Sequence, residues 1–456
     1  MLSPRDRLLA WLFAAQLLAA AVLGVVLVNT VGDDGPTPTV VSQGGPQPTA
    51  SAVPTALPSG PAVASAAPGQ QGRTVTTTTG GQQGSQGGTT GAGKPVKPGA
   101  PLKFGVLVTQ TGAINFAPSA QATKAYIDRV NAQGGVNGHK IELVIMDDQL
   151  DQARGQQAAQ RMLADGVLAF AAWNAPNTEN QIIPFLEANK VPLIGSYGMY
   201  GEYRSRWAYS FTAHYGHYGF ELGRWLKEKG TTTPGFVYID NGEARANTSL
   251  EKAVQDGWKA AGGSGSVEMV RVDPTQGVYD DVVTSLQLGG VDGIATILDQ
   301  TAYNRLQQAS DRHAWRPVHV ADPLFADPAV TKTSTNEGTW VASDLEFLEA
   351  GTPAVQDYVK TVRAAYGPKA TVNWVGEVGW LDAIVLVEAL KSMGDDITRE
   401  GLITAVDALR SNGYGFTSTL HFGPGVRDIN RCLKLGRING GKLVPASGWR
   451  CDGQPF

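Results

Sequence analysis

The sequence predicts an α/β protein of two parallel-sheet lobes joined by three hinge crossings, behind an apolar N-terminal segment and a low-complexity linker. Three observations support this. The stretch Leu102 to Asp148 reads as strand, turn, helix and strand, a βαβ unit whose two strands run parallel. Further βα repeats continue to Asp322, in two sets separated around Phe211 to Gly216. With 456 residues, 42% of them hydrophobic, the chain can bury more than one core.

Arg5 and Arg7 precede Leu8 to Val31, an almost wholly apolar run. It is long enough to span a bilayer as one helix, whereas a cleavable signal core is usually about 7–15 residues. The basic residues before the span predict the N-terminus inside and the globular part extracytoplasmic. An uncleaved single-pass membrane anchor is favoured over a cleaved signal, which would leave the protein secreted. Gly32 to Ala100 is a mixture of Pro, Gly, Ser, Thr, Gln and Ala that buries too little surface to offset its ordering entropy. It reads as a tether.

Folded structure is expected from Pro101. Phe104 to Val108 is a strand, and Ala122, Ala125, Tyr126 and Val130 then recur at helical spacing. Glycines within Asn131 to Gly138 stop that helix before the strand Ile141 to Met146. Ala153 to Asp165 is a helix with Ala158, Ala159, Met162 and Leu163 inward, and Val167 to Ala172 is a strand with exit loop Trp173 to Thr178. The helix Thr178 to Asn189 leads to the strand Val191 to Gly195 and the exit loop Ser196 to Tyr200. After the first crossing come strands Gly235 to Asp240, Ser266 to Val272, Gly293 to Leu298 and Val318 to Ala321. Helices Thr248 to Ala261, Asp280 to Leu288 and Ala302 to His313 alternate with them. Trp340 to Asp344 returns the chain to helices Pro353 to Tyr366 and Gly376 to Lys391, and Gly415 to Phe422 is the third crossing. The expected units are therefore an anchor or signal at 1–31, a linker at 32–100, a first lobe of 101–213 with 345–417, and a second of 214–344 with 418–456.

The net charge of −4 argues against a nucleic-acid binder. No nucleophile elbow, phosphate-binding loop or His-Glu-x-x-His motif is present, so no enzyme and no cofactor is predicted. Gly134 to Lys140 is glycine-rich but precedes a strand, whereas a phosphate loop precedes a helix. His214, His217 and Glu221 share a helical face at a spacing zinc accepts, but read as a polar helix start, and no metal is assigned. Cys432 and Cys451 would pair as a disulfide in an exported protein; otherwise they are two buried thiols.

Open parallel sheets hold ligands at the carboxyl ends of their strands. In the first lobe those ends carry Trp173, Asn174, Asn177, Thr178, Ser196 and Tyr197. Amide, hydroxyl and helix-N-terminal N–H groups can hold an anionic group, and the aromatics can wall an apolar one. In the second lobe Asp240, Asp299 and Asp322 follow apolar runs. Each either faces the cleft, where it could take a ligand ammonium, or caps the next helix.

The helix ending IDRVNAQGGVNGHKIELVIMDD, followed by DQARGQQAAQRMLADGV, resembles the type I periplasmic binding proteins, within them the branched-chain amino-acid binders that serve ABC importers. The resemblance runs from about Pro101 to the C-terminus. It implies a small-molecule ligand, an amino acid or a relative, held by hinge closure and delivered to an ABC permease. In those binders serine- and threonine-rich loops after the third and fourth strands grip the carboxylate; here only Thr178 and Ser196 keep hydroxyls. The first-turn aromatic is matched by Phe116 or a position one residue away, the ammonium partner falls at or beside Asp322, and a second-lobe tyrosine falls near Ala246, which has no ring. The alternative is a ligand-sensing receptor domain that signals through a partner protein.

Overall fold

The computed structural model describes residues 97 and 99–451, apart from 113, 199–204, 241–243, 274–275, 328–329, 331–335 and 395–396. The expected anchor and nearly all of the linker lie outside these residues. Among the described residues no helix is long and apolar enough to cross a membrane.

The first sheet begins with β1 (Leu102–Val108), α1 (Ala117–Ala132), β2 (Ile141–Asp147), α2 (Gln152–Ala164), β3 (Ala169–Asn174), α3 (Pro176–Asn189), β4 (Leu193–Ile194) and β5 (Ala208–Tyr209). Its strands are all parallel, in the order β2-β1-β3-β4-β5. β1 and β3 are buried almost throughout, as a sheet covered on both faces requires. Helix α1 turns small residues, Ser119, Ala120, Ala122 and Thr123 among them, to the interior. Asp151 caps α2 by accepting from Arg154 N at 2.8 Å.

The second sheet comprises β6 (Pro234–Ile239), β7 (Glu268–Val272), β8 (Gly293–Ile297), β9 (Val318–Ala321), β10 (Trp340–Ser343), β11 (Lys434–Asn439) and β12 (Lys442–Pro445), in the order β12-β11-β10-β9-β8-β6-β7. The strands from β7 to β10 are parallel, and β11 is antiparallel to both neighbours. Helices α4 (Tyr215–Glu228), α5 (Ala244–Ala260), α6 (Asp280–Leu288) and α7 (Gln300–Arg312) connect its parallel part. Helices α4 and α5 pack backbone to backbone: a Cβ on Gly257 would sit 1.8 Å from Phe220 O, and one on Gly223 2.1 Å from Val254 O. Any larger residue there forces the pair apart. Between β10 and β11 the chain forms α8 (Pro353–Tyr366), α9 (Trp374–Met393) and α10 (Arg399–Ala408); α9 packs on α1 and on the first sheet.

The protein is thus a two-lobed α/β fold with parallel sheets. Three connecting segments run side by side between the lobes. The Asn430 amide donates to Phe211 O, Asp344 O and Thr417 Oγ1, and Thr417 Oγ1 donates to Asp344 O at 2.7 Å. Several elements differ from the sequence-based reading. β5, α10 and the β11–β12 hairpin were not expected, and the return at Trp340 is itself a strand of the second sheet. β3 runs two residues past its expected end at Ala172, which matters for the site.

Cys432 and Cys451 form a disulfide. Their separation of 19 residues implies a stabilisation of about 3 kcal/mol in the chain-entropy model. Urea denaturation with and without reductant should show the reduced protein less stable by about 2–3 kcal/mol.

Candidate ligand site

Rings from the two lobes meet in the interlobe seam, the candidate cleft, beside the carboxyl ends of the sheets. Tyr197, just after β4, lies with its centroid 5.2 Å from Phe116 and 5.7 Å from Trp374 at the start of α9. The same ring meets Tyr215, the first residue of α4 in the other lobe, edge-on at 5.9 Å, and Tyr215 in turn lies 6.3 Å from Tyr218. Five aromatics from both lobes therefore form one wall, in the offset and edge geometries their quadrupoles favour.

Asp344, fully buried on the second crossing, anchors this wall. Its Oδ1 accepts from the Tyr218 hydroxyl at 2.6 Å and Trp374 Nε1 at 2.9 Å, and its Oδ2 accepts from Ala213 N at 2.6 Å. One carboxyl group thus joins the first crossing, a second-lobe helix and a first-lobe helix. A second tie between lobes is Asn373 Nδ2 donating to Asp327 Oδ2 at 2.9 Å.

Behind Tyr197 the first lobe holds a polar recess. Asn174 Nδ2 donates to Ser119 Oγ at 2.6 Å, while Asn174 Oδ1 and Ser196 Oγ are buried with no hydrogen-bond partner from the protein. Asp382 of α9 lies over Gly195, where a Cβ would sit 2.2 Å from its Cγ, so only glycine fits. Neither Asp382 oxygen has a hydrogen-bond partner among the described residues, and the Asn174 side chain is near enough to oppose the rise in its pKa. Burial pushes the Asp382 carboxyl well above the usual carboxylate range.

The expected site residues divide accordingly. Phe116 and Tyr197 come together at the cleft, with Asn174 and Ser196 behind them. Trp173 and Thr178 do not reach it. Trp173 belongs to β3 rather than to the loop, and a register shift between Phe170 and Ala172 brings its buried ring edge-on against Phe170. Its Nε1 donates to Thr178 Oγ1, which packs on Gly155 of α2. Of Asn177 the structure describes only the backbone, within α3.

Asp299 caps α7, accepting from Ala302 N at 2.8 Å. Asp240 is exposed and accepts from Asn247 Nδ2. Asp322 is 1% exposed and accepts from the Tyr303 hydroxyl at 2.6 Å; burial pushes its carboxyl well above the usual range, against the pull of that hydroxyl. His217 pairs with Asp428 and Glu221 with Arg224 and Arg450, which accounts for the polar face of α4.

Trp374, Tyr215, Tyr218, Asp344 and Asp382 were missed by sequence reasoning. Only the two tyrosines left a signal, at i and i+3 directly after the first crossing.

The chain is a member of the periplasmic binding protein family, whose profile matches residues 101–442. Among curated relatives, Leu/Ile/Val-binding protein homolog 1 of Brucella abortus is 40% identical over 63 residues, a match spanning 14% of this chain and only 17% of that protein. Two solved structures share the fold. One is a fatty acid ABC transporter substrate-binding protein from Thermomonospora curvata, with TM-score 0.68 and 20% identity over 79% of this chain and 95% of that one. The other is a branched-chain amino acid ABC transporter protein from Thermus thermophilus with bound valine, with TM-score 0.68 and 16% identity over 78% of this chain and 98% of that one.

Proposed function

We propose that this protein is an extracytoplasmic solute receptor, tethered through its N-terminal apolar segment, whose lobes close on a small ligand and present it to an ABC permease. The observation that carries this reading is the ring wall Phe116–Tyr197–Trp374–Tyr215, because it is built from both lobes. A ligand held there contacts both lobes at once and so favours the closed form over the open one. The ligand we favour has an apolar body against the rings and a polar head toward Asn174 and Ser196. The similar proteins include a Leu/Ile/Val-binding protein homolog and a fatty acid ABC transporter substrate-binding protein, and both ligand types are compounds of that kind.

Asp322 separates these ligands. An ammonium ligand would need its carboxylate ionised, and burial favours the neutral acid, so binding would release a proton. Affinity for an amino acid should then rise with pH, by up to about tenfold per unit below the raised pKa. A ligand with no ammonium should lack that dependence. A thermal-shift screen of amino acids, small amides, aromatic acids and fatty acids tests the proposal, since a ligand that binds only the folded state raises the melting point. Tyr197→Ala should weaken any hit by about 10–100-fold, the loss of one ring from a buried pocket. An unchanged affinity in that variant would remove the cleft as the site.

A further inference from the structure

A second cavity lies at the opposite edge of the second sheet. It is bordered by Ile294, Val318 and Trp340 near the amino ends of β8, β9 and β10, whereas Asp299, Asp322 and Asp344 follow the carboxyl ends of the same strands. Its volume is about 440 Å³, room for more than a single ion. Lys229, which caps the C-terminus of α4, places Nζ 3.6 Å from the Trp340 ring centroid, and the Arg437 guanidinium of β11 lies 5.1 Å from the same centroid.

Neither cation has an ion pair or hydrogen bond with any described residue. Nearby acids are already engaged. Asp311 takes Arg316 at 2.7 Å, and Glu337 accepts from Gly440 N and Gly441 N in the β11–β12 turn. Burial lowers the Lys229 pKa, and repulsion from Arg450 and Arg437 lowers it further, against the pull of Glu228. The cavity is therefore short of negative charge. Leu306, Ile294 and the buried Trp315 ring, whose Nε1 is taken by Val291 O, form an apolar part of its wall, and Gln307, Ser310 and His319 a polar part.

We infer that this cavity is a second ligand site, separate from the cleft, which takes a small amphiphilic oxyanion: a phosphate or carboxylate between Lys229 and Arg437, with an apolar part against Trp315 and Leu306. The cations hold the oxyanion by charge-assisted hydrogen bonds, and the guanidinium can do so with two parallel bonds. The apolar part distinguishes such a ligand from inorganic phosphate.

Calorimetric titration of the full chain in non-ionic detergent with phenyl phosphate, benzoate and inorganic phosphate tests this. Phenyl phosphate or benzoate should bind at least tenfold more tightly than inorganic phosphate, and weaken as salt is raised. Lys229→Ala with Arg437→Ala should lower that affinity at least tenfold, Lys229→Arg should retain it, and Tyr197→Ala in the cleft should leave it unchanged. Circular dichroism and the melting point identify a variant that fails to fold, and Lys229→Met alone then serves in its place. No binding of either organic probe at millimolar concentration overturns the inference, as does equal binding by the folded cation-deleted variant.

Discussion

Asp344→Ala should destabilise the protein by about 3–5 kcal/mol, the cost of leaving several buried donors without their acceptor. The substitution leaves three donors, Ala213 N, the Tyr218 hydroxyl and Trp374 Nε1, without their acceptor in a region closed to solvent. Each buried unsatisfied group costs about 1–3 kcal/mol before relaxation. Asp344→Asn separates loss of the acceptor from loss of volume. Its carbonyl oxygen can still serve Tyr218 and Trp374, but its amide nitrogen then faces Ala213 N, another donor. The asparagine variant should recover part of the stability and not all of it, as read by urea denaturation. A loss below about 1 kcal/mol in the alanine variant would mean that the three donors find other partners.

This network also marks where sequence reasoning stops. The βα repeats were legible because apolar runs bounded by glycine or acidic turns have few alternative readings; Asp280–Leu288, Val318–Ala321 and Pro353–Tyr366 agree with expectation to the residue. Short edge elements were not. Two-residue β5 has no period to detect, and β11–β12 alternates only weakly in KLGRINGGKLVP, although its Asn-Gly-Gly turn is a hairpin signal.

Within the candidate site, Phe116 was placed only through the family resemblance, whereas Tyr197 could be placed because its position follows from where β4 ends. Trp173 was misjudged for the same reason in reverse. Two extra residues of β3 move its ring from an exit loop to a covered sheet face. Trp374 and Asp382 come from α9, some 200 residues further along the chain, and nothing local shows that this helix lies against β3, β4 and the cleft. Arg399 is a similar case. Nothing in the sequence singles it out, yet its buried guanidinium donates to Val167 O, Leu168 O and Asn189 O, tying α10 under the first sheet.

Asp382 and Glu377 of α9 are fully buried acids, and the variant E377Q/D382N should be more stable than the wild type at neutral pH. Both Asp382 oxygens and Glu377 Oε1 lack a hydrogen-bond partner among the described residues. Burial raises both pKa values well above their ordinary 3.8 and 4.5; Glu346, Glu349 and Asp344 push Glu377 higher still, while Lys434 opposes them and Asn174 opposes the rise at Asp382. A raised folded pKa means that below the ordinary values both states hold the protons and nothing is lost. As pH rises above them, the unfolded chain releases protons that the folded one keeps, so stability falls until the folded pKa is passed. The gain from the neutral isosteres should therefore be small near pH 4 and grow toward pH 7.5, reaching about 1–3 kcal/mol at each site. Melting curves at the two pH values would sink the idea if the gain were equal at both, or if the variant were weaker throughout. Stability given up in this way tends to persist where function needs the group. Glu377 lies one turn beyond Trp374, and Asp382 lies against Gly195 and beside Asn174, so the pair underlies the same wall and recess that would receive the ligand. The more stable variant should bind that ligand less well.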